Sequence, residues 1–197
     1  MDSTKRNLEF LYEMGTIRYI PRVWRQFLNK DFANLSEHHF RVAWIAAMIA
    51  KEEGADAAKA MQMALVHDVA ESRTGDVHYL SRMYTKRDED SAVKDIFVGT
   101  SFEQDFLALA AEYEARMSLE ARIVKDADNI DCDLEIQEQE ANGIRLKETF
   151  RMMRYRVHDM LFTATAKRMW EAIQQSNPHD WHMNGTNRFT QGDWKKS

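Results

Sequence analysis

The sequence has few of the residues that cross-link a chain or interrupt helices. Among 197 residues there are 2 Pro, 7 Gly and 1 Cys, with 44% hydrophobic and 30% charged residues. This composition favours a helical globular protein over a loop-rich or disordered one. The single cysteine, Cys132, excludes an internal disulfide and a cysteine-based zinc cluster within one chain. It fits a reducing compartment, so we expect a cytoplasmic location.

The sequence also lacks an excess of positive charge and a long apolar run. Its formal net charge is −5, so no overall positive field exists to attract a nucleic-acid backbone or an anionic membrane. No segment approaches the ~18 apolar residues of a membrane span, and the first residues lack the apolar core of a signal peptide. We therefore expect neither a nucleic-acid nor a membrane partner, and a protein that is not exported.

Helical spacing of apolar residues predicts an all-α fold in one domain, residues 1–177, followed by an extension, residues 178–197. Ser36 and Asp56 are the expected N-caps of the second and third helices, and Gly54 ends the second. A turn at Thr74-Gly75 precedes a short helix that starts near Asp76. The longer predicted helices, these two included, cover residues 5–15, 36–54, 57–72, 89–98, 102–116, 118–141 and 144–175. The last of them is a long helix.

The stretch LVHDVAE, residues 65–71, sets His67, Asp68 and Glu71 into an otherwise apolar helix. Burying ionised groups is costly unless they are paired or coordinate a metal, and imidazole with carboxylate suits a divalent ion. One helix supplies too few ligands, so we looked for partners in other buried helices. The candidates are His38 and His39 in the second helix and Asp126, Asp128, Asp131 and Asp133 in "IVKDADNIDCDLEI".

Helix geometry does not decide for every candidate whether its side chain faces the site. Adjacent helix positions point about 100° apart, so we expect His39 to be a neighbour of the site and not a ligand. Asp128 or Asp131 is better placed to face inward than Asp133. The alternative reading of the acidic positions is a solvated helix face, which we expect for Asp126, Asp131 and Asp133.

Several of these residues, in their order along the chain, resemble the motifs of a known protein family. His38, the His67-Asp68 pair and Asp128, within "SEHHFRVAWIA", "HDVAESRTGD" and "RIVKDADN", resemble the HD-domain metal-dependent phosphohydrolases, and the 5'-deoxynucleotidase branch in particular. The similarity covers roughly residues 8–142. It implies an HD-domain helical bundle, here with a long C-terminal helix and short tail, and a homodimer. It also implies a divalent metal ion (Mn, Co, Mg or Zn) held by His38, His67, Asp68 and Asp128.

The resemblance also implies roles for other residues. Glu71 matches the acid that activates or orients the attacking water, and Asp76 matches the aspartate near the scissile phosphate and leaving oxygen. Arg22 and Trp24 fall in the segment for substrate recognition, although the order "PRVW" departs in detail from the family pattern. Arg18 and Lys125 are further cations available for a phosphate.

Each of these roles has a plainer alternative. Asp76 could cap a helix, Arg18 and Arg22 could form a solvated face, Trp24 could belong to the core, and Lys125 could pair with an acid.

The predicted function is removal of phosphate from (deoxy)nucleoside 5'-monophosphates by metal-activated water, with a small-molecule nucleotide as the binding partner. Two alternatives stay open. The same site could serve a nucleoside triphosphohydrolase or a phosphatase of another small phosphoester, or the chain could be a non-catalytic HD binding module. His78 and Tyr79 stand where many deoxynucleotidases carry proline or other residues, which bears on the choice of substrate.

Overall fold

Helices account for most of the chain, which confirms the predicted all-α class. The computed structural model describes residues 3–28 and 31–184. Within those residues the pairing of Pro21 with Asn34 is the only β-bridge, and short 3₁₀ segments lie at Ile17–Tyr19, Val23–Gln26 and Ser81–Met83. The α-helices are α1 (Ser3–Thr16), α2 (Leu35–Glu53), α3 (Ala57–Val66), α4 (Glu71–Thr74), α5 (Glu89–Phe97), α6 (Glu103–Ala115), α7 (Leu119–Ala141), α8 (Lys147–Met160), α9 (Ala164–Gln175) and α10 (Asp180–Met183).

Two of the predicted helix ends around α2 and α3 are confirmed, and one is wrong. Asp56 caps α3 by accepting two backbone N–H groups, and Gly54 ends α2 in the left-handed conformation at φ 73°. The N-cap of α2 is Asn34 and not Ser36. Asn34 accepts a hydrogen bond from the backbone N–H of Glu37 (3.0 Å), and the Glu37 carboxylate accepts one from the backbone N–H of Asn34 (2.8 Å). This reciprocal capping box sets the N-cap two residues earlier than predicted and orients the first turn of the helix, which carries His38.

The predicted helix over residues 57–72 ends early, at Val66. The ring Nδ1 of His67 donates to the carbonyl oxygen of Ala64 at 2.7 Å. A continuing helix would use that carbonyl for the N–H of Asp68, four residues on. The chain instead turns before α4 begins. The short helix expected near Asp76 does not form either, since residues 75–80 are irregular.

The predicted long helix over residues 144–175 is two helices, α8 and α9, separated at residues 161–163. Asp126 of α7 explains the break. Its carboxylate accepts hydrogen bonds from the backbone N–H of Phe162 (2.9 Å) and from the N–H and hydroxyl of Thr163 (2.8 Å each). Thr163 then caps α9. Asp126 is 1% exposed, so its expected place on a solvated face is wrong.

The centre of the bundle is formed where α2, α3 and α7 pack together. Ile49, Met63, Ile123 and Ile130 are fully buried there, and α6 and α9 cover the flanks of this core. On α7 the expected solvated face also fails at Asp133, which is 3% exposed and paired with the buried Arg154 of α8. In the middle of α7, Asp128 and Asp131 face His38 near the start of α2, and Asp128 also lies beside His67 at the end of α3.

The predicted C-terminal extension, residues 178–197, is described only to Asn184, and residues 185–197 lie outside the described part of the chain. No helix among the described residues has the length and apolar character needed to cross a bilayer.

Removing the Asp126 carboxylate tests the account of the α8–α9 break. We expect Asp126→Ala to lower the free energy of unfolding by about 2–3 kcal/mol, because buried N–H and hydroxyl donors lose their acceptor. Urea denaturation followed by circular dichroism measures this loss. Asp105→Ala, at an exposed position of α6, is the control and should change stability by less than about 0.5 kcal/mol. Equal effects of the two substitutions would contradict the account.

Candidate metal centre and its cleft

Four side chains from three helical segments converge on one point. His38 lies near the start of α2, His67 and Asp68 follow the end of α3, and Asp128 lies in the middle of α7. One ligand atom from each lies within 4.8 Å of all the others. The Nε2 atoms of His38 and His67 are 3.3 Å apart. His38 Nε2 is 3.3 Å from Asp128, and His67 Nε2 is 3.2 Å from Asp68.

The other ring nitrogen of each histidine is already engaged. His38 Nδ1 is 2.6 Å from a carboxylate oxygen of Asp131, and His67 Nδ1 is 2.7 Å from the carbonyl oxygen of Ala64. Both of these oxygens accept hydrogen bonds, so in the neutral imidazoles the proton sits on Nδ1 and the lone pair on Nε2. Two lone pairs and two carboxylates therefore face one another, and a bound cation would relieve their repulsion. The donor set fits a divalent metal ion.

The pKa of His38 reflects the same arrangement. Burial disfavours the imidazolium, but hydrogen bonds to Asp128, Asp131 and Asp68 outweigh it and hold the pKa of His38 well above its ordinary value. The surrounding carboxylates thus favour positive charge at this point.

Asp131 contacts His38 from outside the four-residue cluster. It is 2% exposed, so its expected place on a solvated face is wrong. Its second carboxylate oxygen accepts from Arg41 Nε, and Arg41 Nη1 lies 2.7 and 2.8 Å from the two carboxylate oxygens of Glu138. A chain of charged hydrogen bonds therefore runs from the half-exposed Glu138 through Arg41 to Asp131 and orients His38.

Asp131→Asn tests this support. We expect the affinity for Mn²⁺ to fall about 10- to 100-fold, because the amide neither accepts as strongly from Nδ1 nor raises the basicity of Nε2. Calorimetric titration of metal-stripped protein measures it. Asp105→Asn at the exposed position on α6 is the matched control and should bind as the wild type does. Wild-type affinity in Asp131→Asn would contradict the orienting role.

Two further acids, Glu71 and Asp76, line the same cleft. Glu71 opens α4 and is 5% exposed. One of its oxygens lies 3.3 Å from Arg87 Nη1, whereas the other has no hydrogen-bond partner among the described residues. Burial, together with the charges of Asp68 and Asp76, raises the pKa of Glu71 to about 9.

Asp76 owes its position to Gly75. Gly75 has φ 74° and ψ 153°, a combination that disfavours any side chain, so the turn depends on glycine. The Asp76 carboxylate then accepts from the backbone N–H of Val23 at 3.1 Å and lies 3.4 Å from Arg22 Nη1. This contact ties the Val23–Gln26 segment to the cleft.

The structure brings three of the four predicted substrate-binding residues to the cleft. Arg22 Nη1 lies 3.6 Å from Asp68, and Lys125 Nζ lies 2.7 Å from Asp128, so both cations border the metal centre. Trp24 lines the cleft while its ring packs edge-on against Phe150 at 5.9 Å.

The fourth, Arg18, lies elsewhere. It is exposed, with its guanidinium over the Tyr19 ring, and it does not belong to the cleft lining. His39, expected as a neighbour, is buried with its ring centroid 4.9 Å from that of His67.

Arg87 is a site residue that sequence reasoning missed. It stands in the charged segment "TKRDED", which has no apolar periodicity. In the structure it reaches Glu71, the carbonyl oxygen of Gly75 (3.1 Å) and Glu89. The sequence contained no signal for this, because the contacts depend on how an irregular loop folds back.

Cys132 also lines the cleft, so its reactivity matters for the chemistry. Burial raises the pKa of its thiol to about 12. A thiol with that pKa is protonated at neutral pH and is a poor nucleophile. Covalent catalysis through Cys132 is therefore disfavoured.

The helical bundle and its His–Asp cluster define an all-α protein with a candidate metal centre. The sequence pattern of the HD domain family matches residues 14–170, and the chain belongs to this family.

Individual relatives agree with this membership. The 5'-deoxynucleotidase HDDC2 of Danio rerio is 30% identical over 152 residues, which cover 73% of this chain and 76% of that protein. The 5'-deoxynucleotidase HDDC2 of Dictyostelium discoideum is 30% identical over 179 residues, which cover 81% of this chain and 94% of that protein. A conserved hypothetical protein from Pyrococcus furiosus has the same fold, with a TM-score of 0.70 at 24% identity over 86% of this chain and 99% of that one.

Proposed function

We propose that this chain is a metal-dependent phosphohydrolase that removes phosphate from 2'-deoxynucleoside 5'-monophosphates. The observation that carries the proposal is the convergence of the four-residue cluster, three of whose members line a cleft of about 710 Å³, with two acids and two cations of the same cleft. His38, His67, Asp68 and Asp128 would hold a divalent ion, with Mn, Co, Mg and Zn as the candidates. Relatives named 5'-deoxynucleotidase that match most of the chain support the choice of substrate.

A divalent ion bound there would lower the pKa of a coordinated water and offset charge on the phosphoryl group. We assign to Glu71 the role of taking the proton of the attacking water. Burial raises its pKa, and the charges of Asp68 and Asp76 add to that rise; an ion bound at Asp68 would offset part of it. In its carboxylate form Glu71 would accept the proton on the oxygen that has no hydrogen-bond partner among the described residues.

Asp76 is the proposed partner of the leaving sugar oxygen. The N–H of Val23 and the guanidinium of Arg22 hold its carboxylate, and its side chain is 4% exposed. In that position it would assist departure of the sugar oxygen through a water molecule or, when protonated, directly.

Arg22 and Lys125 would hold the phosphate. Each lies within 3.6 Å of a proposed metal ligand, so a phosphoryl group at the metal centre falls within reach of both. Two cations beside one metal match a single phosphate, which carries a charge of about −1.5 to −2 at neutral pH.

Three further expectations stay predictions: a homodimer, a cytoplasmic location, and the division into one domain over residues 1–177 and an extension after it. The homodimer follows from the resemblance, and the cytoplasmic location follows from the single cysteine.

Hydrolysis assays on metal-stripped protein, with one divalent ion returned at a time, test the function. We expect phosphate release from deoxynucleoside monophosphates and none from triphosphates. Glu71→Gln should lower turnover by about 10²- to 10⁴-fold while metal binding persists, because only the base is lost. Asp68→Ala should abolish both turnover and metal binding with helical content unchanged.

Glu114→Gln is the control for the glutamate variant. Glu114 also lines the cleft but is exposed, and we expect turnover close to that of the wild type. Full activity in Asp68→Ala would overturn the assigned site. Release of pyrophosphate or triphosphate would keep the site and replace the substrate.

A further inference from the structure

One wall of the cleft, beyond Asp76, is aromatic. The rings of Phe27, His78 and Tyr79 contact one another: the centroids of Phe27 and His78 are 4.6 Å apart, and those of Phe27 and Tyr79 are 5.9 Å apart with an interplanar angle of 32°. His78 and Tyr79 line the cleft. We call these three side chains the aromatic wall.

Hydrogen bonds fix the middle of the aromatic wall. His78 is 8% exposed, and its Nδ1 accepts from the backbone N–H of Ser81 at 3.2 Å. In the neutral ring Nε2 therefore carries the proton and donates to the Ser81 hydroxyl at 3.0 Å. Arg82 Nε donates to the carbonyl oxygen of Val77 at 2.7 Å and closes the same loop. Both nitrogens of His78 are thus engaged, and its ring acts as a support.

The outer member of the aromatic wall is exposed to the cleft. Tyr79 is 69% exposed although its ring packs against two others. A large aromatic ring held at the rim of a polar cleft offers a flat face to a ligand, at a small cost in side-chain entropy. Every nucleobase has a π-face that can stack on such a ring.

The position of Tyr79 matches the layout of a nucleotide. Tyr79 is three positions after Asp76, so its backbone lies within about 11 Å of the acid assigned to the leaving oxygen. The Val23 N–H bond to Asp76 anchors the segment that leads to Phe27, on the same side of the cleft. A phosphate beside Arg22 would leave its sugar near Asp76 and its base toward the aromatic wall.

We propose that Tyr79, supported by His78 and Phe27, is the surface on which the nucleobase of the substrate stacks. The proposal rests on the proposed function and extends it: Tyr79 determines affinity for the base half of the substrate and accepts all bases. It takes no part in the bond-breaking step.

The test compares a nucleotide with its base-free counterpart. Wild type, Tyr79→Ala and Tyr79→Phe are assayed with 2'-deoxyadenosine 5'-monophosphate and with 2-deoxyribose 5-phosphate, by turnover and by calorimetric binding to metal-loaded protein. We expect Tyr79→Ala to raise KM and Kd for the nucleotide about tenfold with kcat little changed, and to leave the values for the sugar phosphate unchanged. Tyr79→Phe keeps the ring and should behave as the wild type does.

Tyr84→Ala is the matched control, because Tyr84 is 83% exposed and does not line the cleft. Equal effects of Tyr79→Ala on both ligands, or none on either, would overturn the stacking role. Nucleotide binding that depends on Tyr79 without any hydrolysis would overturn the proposed function and keep the stacking role. Absence of both binding and hydrolysis would overturn both.

Discussion

The structure depends on one electrostatic constraint: the Nε2 lone pairs of two buried imidazoles and two half-buried carboxylates face each other within 4.8 Å. Such an arrangement is costly unless a cation lies among the four groups. The packing of α2, α3 and α7 enforces it, since each of these helices, or the turn after it, delivers at least one of the four donors. Asp131 and the Ala64 carbonyl accept hydrogen bonds from Nδ1 of His38 and His67, respectively. Both rings are thereby held in the tautomer whose Nε2 lone pair faces the carboxylates.

The rest of the cleft follows from that centre. The charges of Asp68 and Asp76, together with burial, give Glu71 an affinity for protons that is high for a carboxyl group. Arg22 lies between Asp68 and Asp76 and keeps both in place while presenting positive charge to the cleft. The cleft thus offers groups that attract a cation, a proton and an anion within a few ångströms of one another. Hydrolysis of a phosphate ester by a metal-activated water involves all three.

The sequence predicted what depends on local chemistry. Asp56 and Gly54 could be assigned as helix ends because capping involves residues a few positions apart. The convergence of His38, His67, Asp68 and Asp128 was predictable from an ordered motif. The end of α3 at Val66 could not be predicted, because it depends on which backbone carbonyl accepts the hydrogen bond from His67 Nδ1. The burial of Asp126 and Asp133 could not be predicted either, because it depends on partners in α8 and beyond. The same holds for the aromatic wall, in which Phe27 lies about fifty residues before His78 and Tyr79.

Anomalous X-ray diffraction from crystals of the Mn²⁺-loaded protein tests the central claim most directly. The account predicts one strong anomalous peak per chain, within coordination distance of His38 Nε2, His67 Nε2 and a carboxylate oxygen from each of Asp68 and Asp128. Crystals of Asp128→Ala should lose that peak. A peak at another location, or no peak at saturating Mn²⁺, would contradict the account.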